Sequence, residues 1–322
     1  MTSLLILAYN EDKTIKNLLH KLYHNFEYVI LIDDNSSDNT KNECKEYFKK
    51  NNFIYFKNDK NLGAGKSFEL GLKTFNKLKS NYLVKIDGDN QFEINDILYL
   101  SKYGENNEFD FIKCDRFWKG GIQGKIPFIR YFGNTLASLL IKISTGNWKF
   151  NDPLNGLFFI SKKVSMNFNI TKLFSRYGYP FYLVNYVSAL SKVVNLKIGQ
   201  YKNIVSYGDE KSQLKANTMF IKLIYFTIKS FYKKIKIKFR FSELQFSALA
   251  DLMAQLSFIL ILFSIFNFYS IGNNNEFAPR SSWILVIIFE FLIFTLLLFI
   301  SQKIENSVES NNLNLIVNNK SE

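Results

Sequence analysis

Short apolar runs that alternate with polar, helix-period stretches, followed by two long apolar runs near the C-terminus, predict an α/β fold with a membrane anchor. The apolar runs 3–8, 28–32, 53–56 and 82–86 have the length of strands. Between them lie the polar stretches 13–24, 39–50 and 64–79, which repeat with the helical period. This order predicts βαβ units and a mostly parallel sheet flanked by helices.

Composition narrows the classes. The chain has 322 residues, a net charge of +13, 47% hydrophobic and 21% charged residues, so a wholly disordered chain is excluded. Two cysteines, Cys44 and Cys114, make neither a disulfide framework nor a Cys-based zinc site, and they fit a reducing compartment. The first residues, MTSLLILAYNED, have no basic segment before their short apolar run. They are expected to belong to the fold and not to a signal peptide.

The runs 246–268 and 283–300 are each near the ~20 residues that cross a bilayer. Glu290, inside the second, costs roughly 2.5–3.5 kcal/mol on insertion scales. Fifteen Ile, Leu, Val or Phe residues between Ile284 and Ile300 return roughly 4.5–9 kcal/mol, so a span is expected. Asp251 sits near one end of the first run, where it is expected to reach the interface, and Glu290 is expected to face another helix. From Lys211 to Arg240 there are nine Lys or Arg and no acid, whereas the loop 267–282 holds only Arg280. Basic flanks stay cytoplasmic, which puts residues 1–240 and the C-terminal tail inside. Bases interleaved with Phe, Ile and Tyr describe a segment lying on anionic lipid. The expected organisation is a cytoplasmic α/β domain 1–215, a basic amphipathic segment 216–243, two transmembrane helices 244–301 and a polar cytoplasmic tail 302–322.

In parallel sheets ligands bind beyond the carboxyl ends of the strands. The residues there are Tyr9-Asn10-Glu11, Asp33-Asp34-Asn35-Ser36, Asn58-Asp59-Lys60-Asn61 and Asp87-Gly88-Asp89-Asn90-Gln91. Acidic loops crowded on one edge of a basic protein suggest a hard divalent cation. Two look-alikes fall away. Gly63-Ala64-Gly65-Lys66-Ser67 resembles a phosphate loop but has Lys60 where the first glycine is needed. His20 and His24 have metal-like spacing without a third ligand.

Together the strand-end motifs resemble family 2 glycosyltransferases of the GT-A (Rossmann-like) fold. Tyr9-Asn10-Glu11 is similar to the opening turn of that family, Asp33-Asp34-Asn35-Ser36-Ser37-Asp38-Asn39-Thr40 to its "D-D-x-S-x-D-x-T", and Asn61-Leu62-Gly63-Ala64-Gly65 with Gly71 to its glycine motif. Asp87-Gly88-Asp89-Asn90-Gln91 is similar to "D-x-D-x-Q". Arg116, the amphipathic stretch 125–144, Asp152-Pro153-Leu154-Asn155-Gly156, Tyr207-Gly208-Asp209-Glu210-Lys211-Ser212 and the two spans resemble the dolichyl-phosphate mannosyltransferase and undecaprenyl-phosphate glucosyltransferase group. Departures are Leu7 for the usual proline, Ser67 after the glycines, and Cys114-Asp115-Arg116 for "G-S-R".

The resemblance implies an inverting transferase that moves a sugar from a UDP- or GDP-linked donor to a polyprenyl phosphate at the cell (inner) membrane. Asp87, Asp89 and Gln91 are expected to serve Mg²⁺ or Mn²⁺. Tyr9, Glu11 and Asp34 are expected at the base and ribose, and Lys211 over the diphosphate. Arg116 is expected on the acceptor phosphate, and Asp152 as its orienter or as a base. Stretches 125–144 and 216–243 are expected as interfacial helices. The partners are then the donor, the polyprenyl phosphate and anionic lipid, with no nucleic acid, and self-association is left open. Two rivals stand beside this reading: a membrane-anchored transferase to a glycan or lipid-linked saccharide hydroxyl, and a non-catalytic membrane scaffold or nucleic-acid binder.

Overall fold

The computed structural model describes residues 1–124, 126, 128–147, 150–166, 168–191, 194–206, 216–239, 244–270 and 280–318. It divides into two units, Met1–Ile228 and Lys229–Glu322.

The first unit is built on strands β1 (Thr2–Ala8), β2 (Val29–Asp33), β3 (Phe53–Lys57), β4 (Tyr82–Asp87) and β5 (Phe111–Asp115), with the two-residue β6 (Ile122–Gln123), then β7 (Phe158–Ser161), β8 (Ile198–Lys202) and β9 (Val205–Ser206). Seven of them form one sheet in the order β3-β2-β1-β4-β7-β5-β8, and β6 pairs with β9. Only β7 runs antiparallel to its neighbours. The mostly parallel sheet expected from the sequence is therefore present. β1 and β2 are buried along their whole length, as strands covered by helices on both faces must be.

The helices are α1 (Ile15–Leu22), α2 (Thr40–Glu43), α3 (Ala64–Phe75), α4 (Ile94–Asn106), α5 (Phe128–Thr145), α6 (Lys162–Ser165), α7 (Tyr179–Leu190) and α8 (Ala216–Lys238). Several are shorter than their polar stretches. The run 39–50 makes one α turn and then a 3-10 turn, Lys45–Tyr47, because its Asn, Thr and Cys residues are weak helix formers. Side chains alternate across the sheet. Leu4, Ile6, Leu31, Val84 and Ile112 face one core that includes Leu18 and Leu100 of α1 and α4. Leu5, Ile30, Leu83, Phe111 and Phe158 face the other, with Phe68, Ile141 and Val184 of α3, α5 and α7. The N-terminal part of α8 joins this second core: Leu223 is buried and the Phe226 ring meets Phe174 edge-on at 4.9 Å.

The second unit contains α9 (Gln245–Ser270) and α10 (Arg280–Asn318). Both hold a stretch long and apolar enough to span a membrane, Gln245–Ser270 and Ser281–Glu305. Only 33% and 11% of those stretches are buried, so most of their Leu, Ile and Phe side chains face outward, unlike a core hairpin of a water-soluble fold. Phe258 and Phe294 pack at 5.7 Å, and the Ser257 hydroxyl donates to the Glu290 carbonyl at 3.0 Å. The Glu290 Oε2 has no hydrogen-bond partner among the described residues.

One expectation is corrected here. The sequence puts all the bases before the spans on lipid. Instead Lys238 is 1% exposed and donates to Asp251 Oδ2 at 2.5 Å, Ser247 Oγ at 2.8 Å and Ser301 Oγ at 3.0 Å, and it also pairs with Glu305. Lys234 reaches the same Asp251 oxygen at 3.1 Å. The carboxylates draw these two ammonium groups inward, because an unpaired charge in this apolar setting would cost far more. Lys229, Lys233 and Lys236 remain exposed.

Candidate active site

The ends of β1, β2 and β4 meet at one edge of the sheet. After β1 the chain turns through Asn10, whose φ of +59° is tolerated by asparagine. The second motif caps that turn. Ser36 Oγ accepts from Asn10 N at 2.9 Å, Thr40 Oγ1 from Glu11 N at 2.8 Å, and Asp38 Oδ2 from Asp12 N at 3.1 Å. Burial works against the Asp38 carboxylate, but hydrogen bonds from Thr40 and Asp12 outweigh it and hold the carboxyl below its ordinary range. Tyr9, at the end of β1, is 39% exposed.

Asp33 and Asp34 have distinct surroundings. Asp33 accepts from Ser36 N and the Tyr55 hydroxyl, both at 2.7 Å. Burial, with the Asp33 carboxylate beside it, pushes the Tyr55 hydroxyl well above its usual value. Asp34, 5% exposed, accepts from Asn58 Nδ2 (2.7 Å) and Leu62 N (2.9 Å) on one oxygen, and from Gly63 N (2.7 Å) on the other. It therefore holds the 58–63 loop in place. Beyond that loop the look-alike phosphate motif is closed: the amides of Gly65 and Lys66 donate to the carbonyls of Arg176 (2.9 Å) and Ser175 (2.8 Å). A Cβ on Gly65 would lie 2.1 Å from the Phe174 carbonyl oxygen, so this glycine serves close packing and not anion binding.

Asp87 and Asp89 flank Gly88 at the end of β4. Gly88 N donates to the Leu7 carbonyl at 2.9 Å, and its own carbonyl accepts from the Thr14 hydroxyl at 2.7 Å. Glu11 Cγ lies 3.3 Å from where a Gly88 Cβ would be, so the first and fourth motifs touch. Asp89 Oδ1 accepts from Gln91 N at 3.2 Å across Asn90, whose φ is +57°. The Gln91 carbonyl accepts from Ser206 N at 2.9 Å. Asp87, 37% exposed, is paired through Oδ1 with the fully buried Lys85. A Cβ on Gly156 would fall 2.0 Å from Asp87 Oδ2, so only glycine there leaves that oxygen room.

Gly156 belongs to the 152–157 turn, which also holds Asp152. Arg116 Nε donates to Asp152 Oδ2 at 2.7 Å and Nη2 to Oδ1 at 3.0 Å. Arg116 N (3.2 Å) and Asn155 Nδ2 (3.1 Å) add to Oδ2. Asp152 is fully buried and Arg116 11% exposed, so the two form one bidentate unit. Asp152 holds a φ of +43° to reach it. Behind the turn the buried Lys113 donates to the Asn155 carbonyl. Burial pushes its ammonium down to about 7, against the pull of Asp152.

Of the residues expected at a site, Tyr9, Glu11, Asp87, Asp89 and Gln91 meet at one edge, Asp34 holds the adjoining loop, and Arg116 joins Asp152. Lys211 and the rest of its motif lie outside the described residues. Sequence reasoning passed over Lys85 and Lys113, and it quoted Asn155 within its motif without giving it a role. The signal was available for the lysines: each interrupts a strand whose other residues are almost all buried and apolar.

Residues 3–168 match the family model described as Glycosyl transferase family 2. The chain is 34% identical over 145 residues to an uncharacterized protein of Methanocaldococcus jannaschii, covering 44% of this chain and 60% of that one. It is 31% identical over 173 residues to the UDP-N-acetylglucosamine–dolichyl-phosphate N-acetylglucosaminyltransferase of Methanococcus voltae, covering 49% and 68%. Among solved structures, glucosyl-3-phosphoglycerate synthase from Mycobacterium tuberculosis, in complex with Mn²⁺, UDP-glucose and phosphoglyceric acid, is similar with a TM-score of 0.55. That match covers 71% of this chain and 79% of the other at 15% identity, and it speaks to the fold alone. The match to the family model spans half of the chain and takes in the strand-end carboxylates and the Arg116–Asp152 pair; the chain belongs to glycosyl transferase family 2.

Proposed function

We propose that this protein is an inverting glycosyltransferase that moves a sugar from a nucleotide-sugar donor to a membrane polyprenyl phosphate. The observation that carries the reading is the Asp87-Gly88-Asp89 turn packed on Glu11, with a buried Arg116–Asp152 pair on the turn behind it. Similarity to a relative named for UDP-N-acetylglucosamine and dolichyl phosphate supports the same classes of donor and acceptor. UDP-N-acetylglucosamine is the first donor to test.

A divalent cation fits the residues present. No group of three or more His, Cys, Asp or Glu able to hold a metal ion occurs among the described residues. Magnesium-like ions need only one or two carboxylates and complete their shell from substrate phosphates and water. Asp89 and Gln91, with Asp87 beside them, would hold Mg²⁺ or Mn²⁺. When bound, such an ion offsets the charge that gathers on a departing diphosphate.

The chain's own residues do the rest. Tyr9 stacks on the base and Glu11 holds its edge or the ribose. Asp34 shapes the base pocket by fixing the 58–63 loop, and its Oδ2 takes one further donor from the base. Lys211 is the cation assigned to the diphosphate by the family resemblance. An oxygen of the acceptor phosphate forms a bond to the anomeric carbon from the face opposite the nucleotide. The bond from that carbon to the β-phosphate oxygen breaks, and its electron pair leaves with the nucleoside diphosphate. Configuration inverts.

No proton has to be removed, since a phosphate monoester with a second pKa of about 6 is already largely dianionic at neutral pH. Arg116 presents a pre-oriented guanidinium to that dianion. Asp152 acts as its orienter, because both carboxylate oxygens are taken by Arg116 and Asn155. A hydroxyl acceptor would need an available base, which disfavours the rival transferase reading.

The exposed Lys222, Lys229, Lys233 and Lys236 of α8, set among exposed Ile221, Tyr225, Ile228 and Tyr232, rest on the cytoplasmic surface of an anionic membrane. Membranes carrying the protein, supplied with labelled UDP-N-acetylglucosamine, polyprenyl phosphate and Mn²⁺ or Mg²⁺, put label into the organic phase. Label found only in water-soluble glycan, across a panel of UDP- and GDP-sugars, defeats the proposal.

A further inference from the structure

Lys85 stands in the middle of a buried strand, fully shielded from solvent. Its ammonium pairs with Asp87 Oδ1 and lies 5.3 Å from the Tyr179 ring centroid and 5.9 Å from that of Phe158. Gly156 completes the enclosure: a Cβ there would be 3.3 Å from Lys85 Nζ. Lys113 is its counterpart. Both lysines sit directly opposite Phe158 of β7, one on each side, but Lys113 bonds a backbone carbonyl and not a carboxylate. Asp87 is the ion-pair partner of Lys85 among the described residues.

We propose that Lys85 is a resident counter-ion that makes the Asp87–Asp89 turn take up a divalent cation only together with a nucleoside diphosphate. The inference rests on the metal-dependent reading above. Two neighbouring carboxylates would by themselves attract a bare cation. Lys85 cancels one of those charges before any ligand arrives, and its burial denies it water as an alternative partner. The turn then offers a hydrated ion one carboxylate charge fewer, which weakens its hold on an ion that arrives alone. A diphosphate brings the missing negative charge and oxygen ligands. Ion and donor then enter as one unit, and loss of the product nucleotide frees the ion. Lys85 is thus a positioning residue that acts through Asp87.

Calorimetric titration of the full-length protein in detergent with Mn²⁺ alone, and with Mn²⁺ at saturating UDP, tests this without any activity assay. In the wild type, UDP tightens Mn²⁺ binding at least about tenfold, and Mn²⁺ tightens UDP binding by the same factor. Lys85→Met, near in volume but uncharged, tightens binding of Mn²⁺ alone about tenfold or more and shrinks the UDP enhancement by a like factor. Lys113→Met, which removes the sister charge without touching Asp87, leaves the enhancement in place. Unchanged Mn²⁺ binding in a folded Lys85→Met protein overturns the inference. So does a wild type that binds Mn²⁺ equally well with and without UDP, a result that needs no variant. A wild type that binds no Mn²⁺ even with UDP removes the metal-dependent reading itself.

Discussion

Replacing Asp152 by asparagine separates an orienting role from a base. The change keeps size and shape, and asparagine accepts the +43° φ at this position. It removes the charge that faces Arg116 and turns one acceptor atom into a donor directed at a guanidinium. The Nε–Oδ2 and Nη2–Oδ1 contacts of 2.7 and 3.0 Å are therefore not both kept. Arg116 is 11% exposed and cannot turn to water for compensation. Removing one partner from a buried pair costs about 3–5 kcal/mol. For a unit of this size, each kcal/mol lowers Tm by about 2–4 °C, so a fall of roughly 6–20 °C is expected in thermal unfolding. A displaced guanidinium costs transfer about 100-fold, since an error near 1 Å at a positioning group has that effect. The loss is equal at every pH from 6 to 9, because the acceptor dianion needs no base. The double change Arg116→Met, Asp152→Asn removes the unpaired guanidinium, keeps a residue that accepts this φ, and recovers part of the stability and none of the transfer. A Tm left at the wild-type value, together with a pH-dependent loss of rate, would falsify the orienting role and restore Asp152 as a base.

Three further outcomes follow from particular contacts. Gly156→Ala sets a methyl 2.0 Å from Asp87 Oδ2, so the carboxylate must move; transfer falls about 100-fold while stability drops only about 1–3 kcal/mol, read by product label and unfolding side by side. Lys113, depressed to about 7 when folded and ordinary when unfolded, lets the unfolded chain hold the extra proton, so its share of stability rises with pH above 7 by up to about 1.4 kcal/mol per unit. Denaturant unfolding between pH 7 and 8.5 checks this: Lys113→Met loses that slope, and an unchanged slope contradicts it. Lys238→Met removes the ammonium shared by Asp251 and Glu305 and leaves Asp251 with Lys234 alone, at a cost of about 3–5 kcal/mol to the second unit. Limited proteolysis in detergent reads it as faster cleavage after Lys229, and equal rates exclude it.

Much of the site was legible because strand ends write themselves plainly. Asp87 and Asp89 follow an apolar run that must be a strand, and so do Tyr9 and Glu11, which brings them to one edge of any parallel sheet. Ser36, Asp38 and Thr40 were legible as a motif but not as caps, since backbone amides from 26 to 29 residues away leave no trace in local spacing. What occupies the amides of Gly65 and Lys66 was out of reach for the same reason: the carbonyls of Arg176 and Ser175 that close that helix end come from a distant loop.

What the sequence alone determined is whatever depends on period and order: the alternation of strands and helices, the acidic strand ends, the two runs of span length, and the basic stretch before them. What the tertiary structure decided is which charges meet. Arg116 and Asp152 are 36 residues apart, and Lys238 and Glu305 further still, yet each pair is enclosed where water cannot compensate either member. A charge in such a place must find its opposite, and the partner is chosen by the packing of strands and helices, which pattern along the chain does not encode.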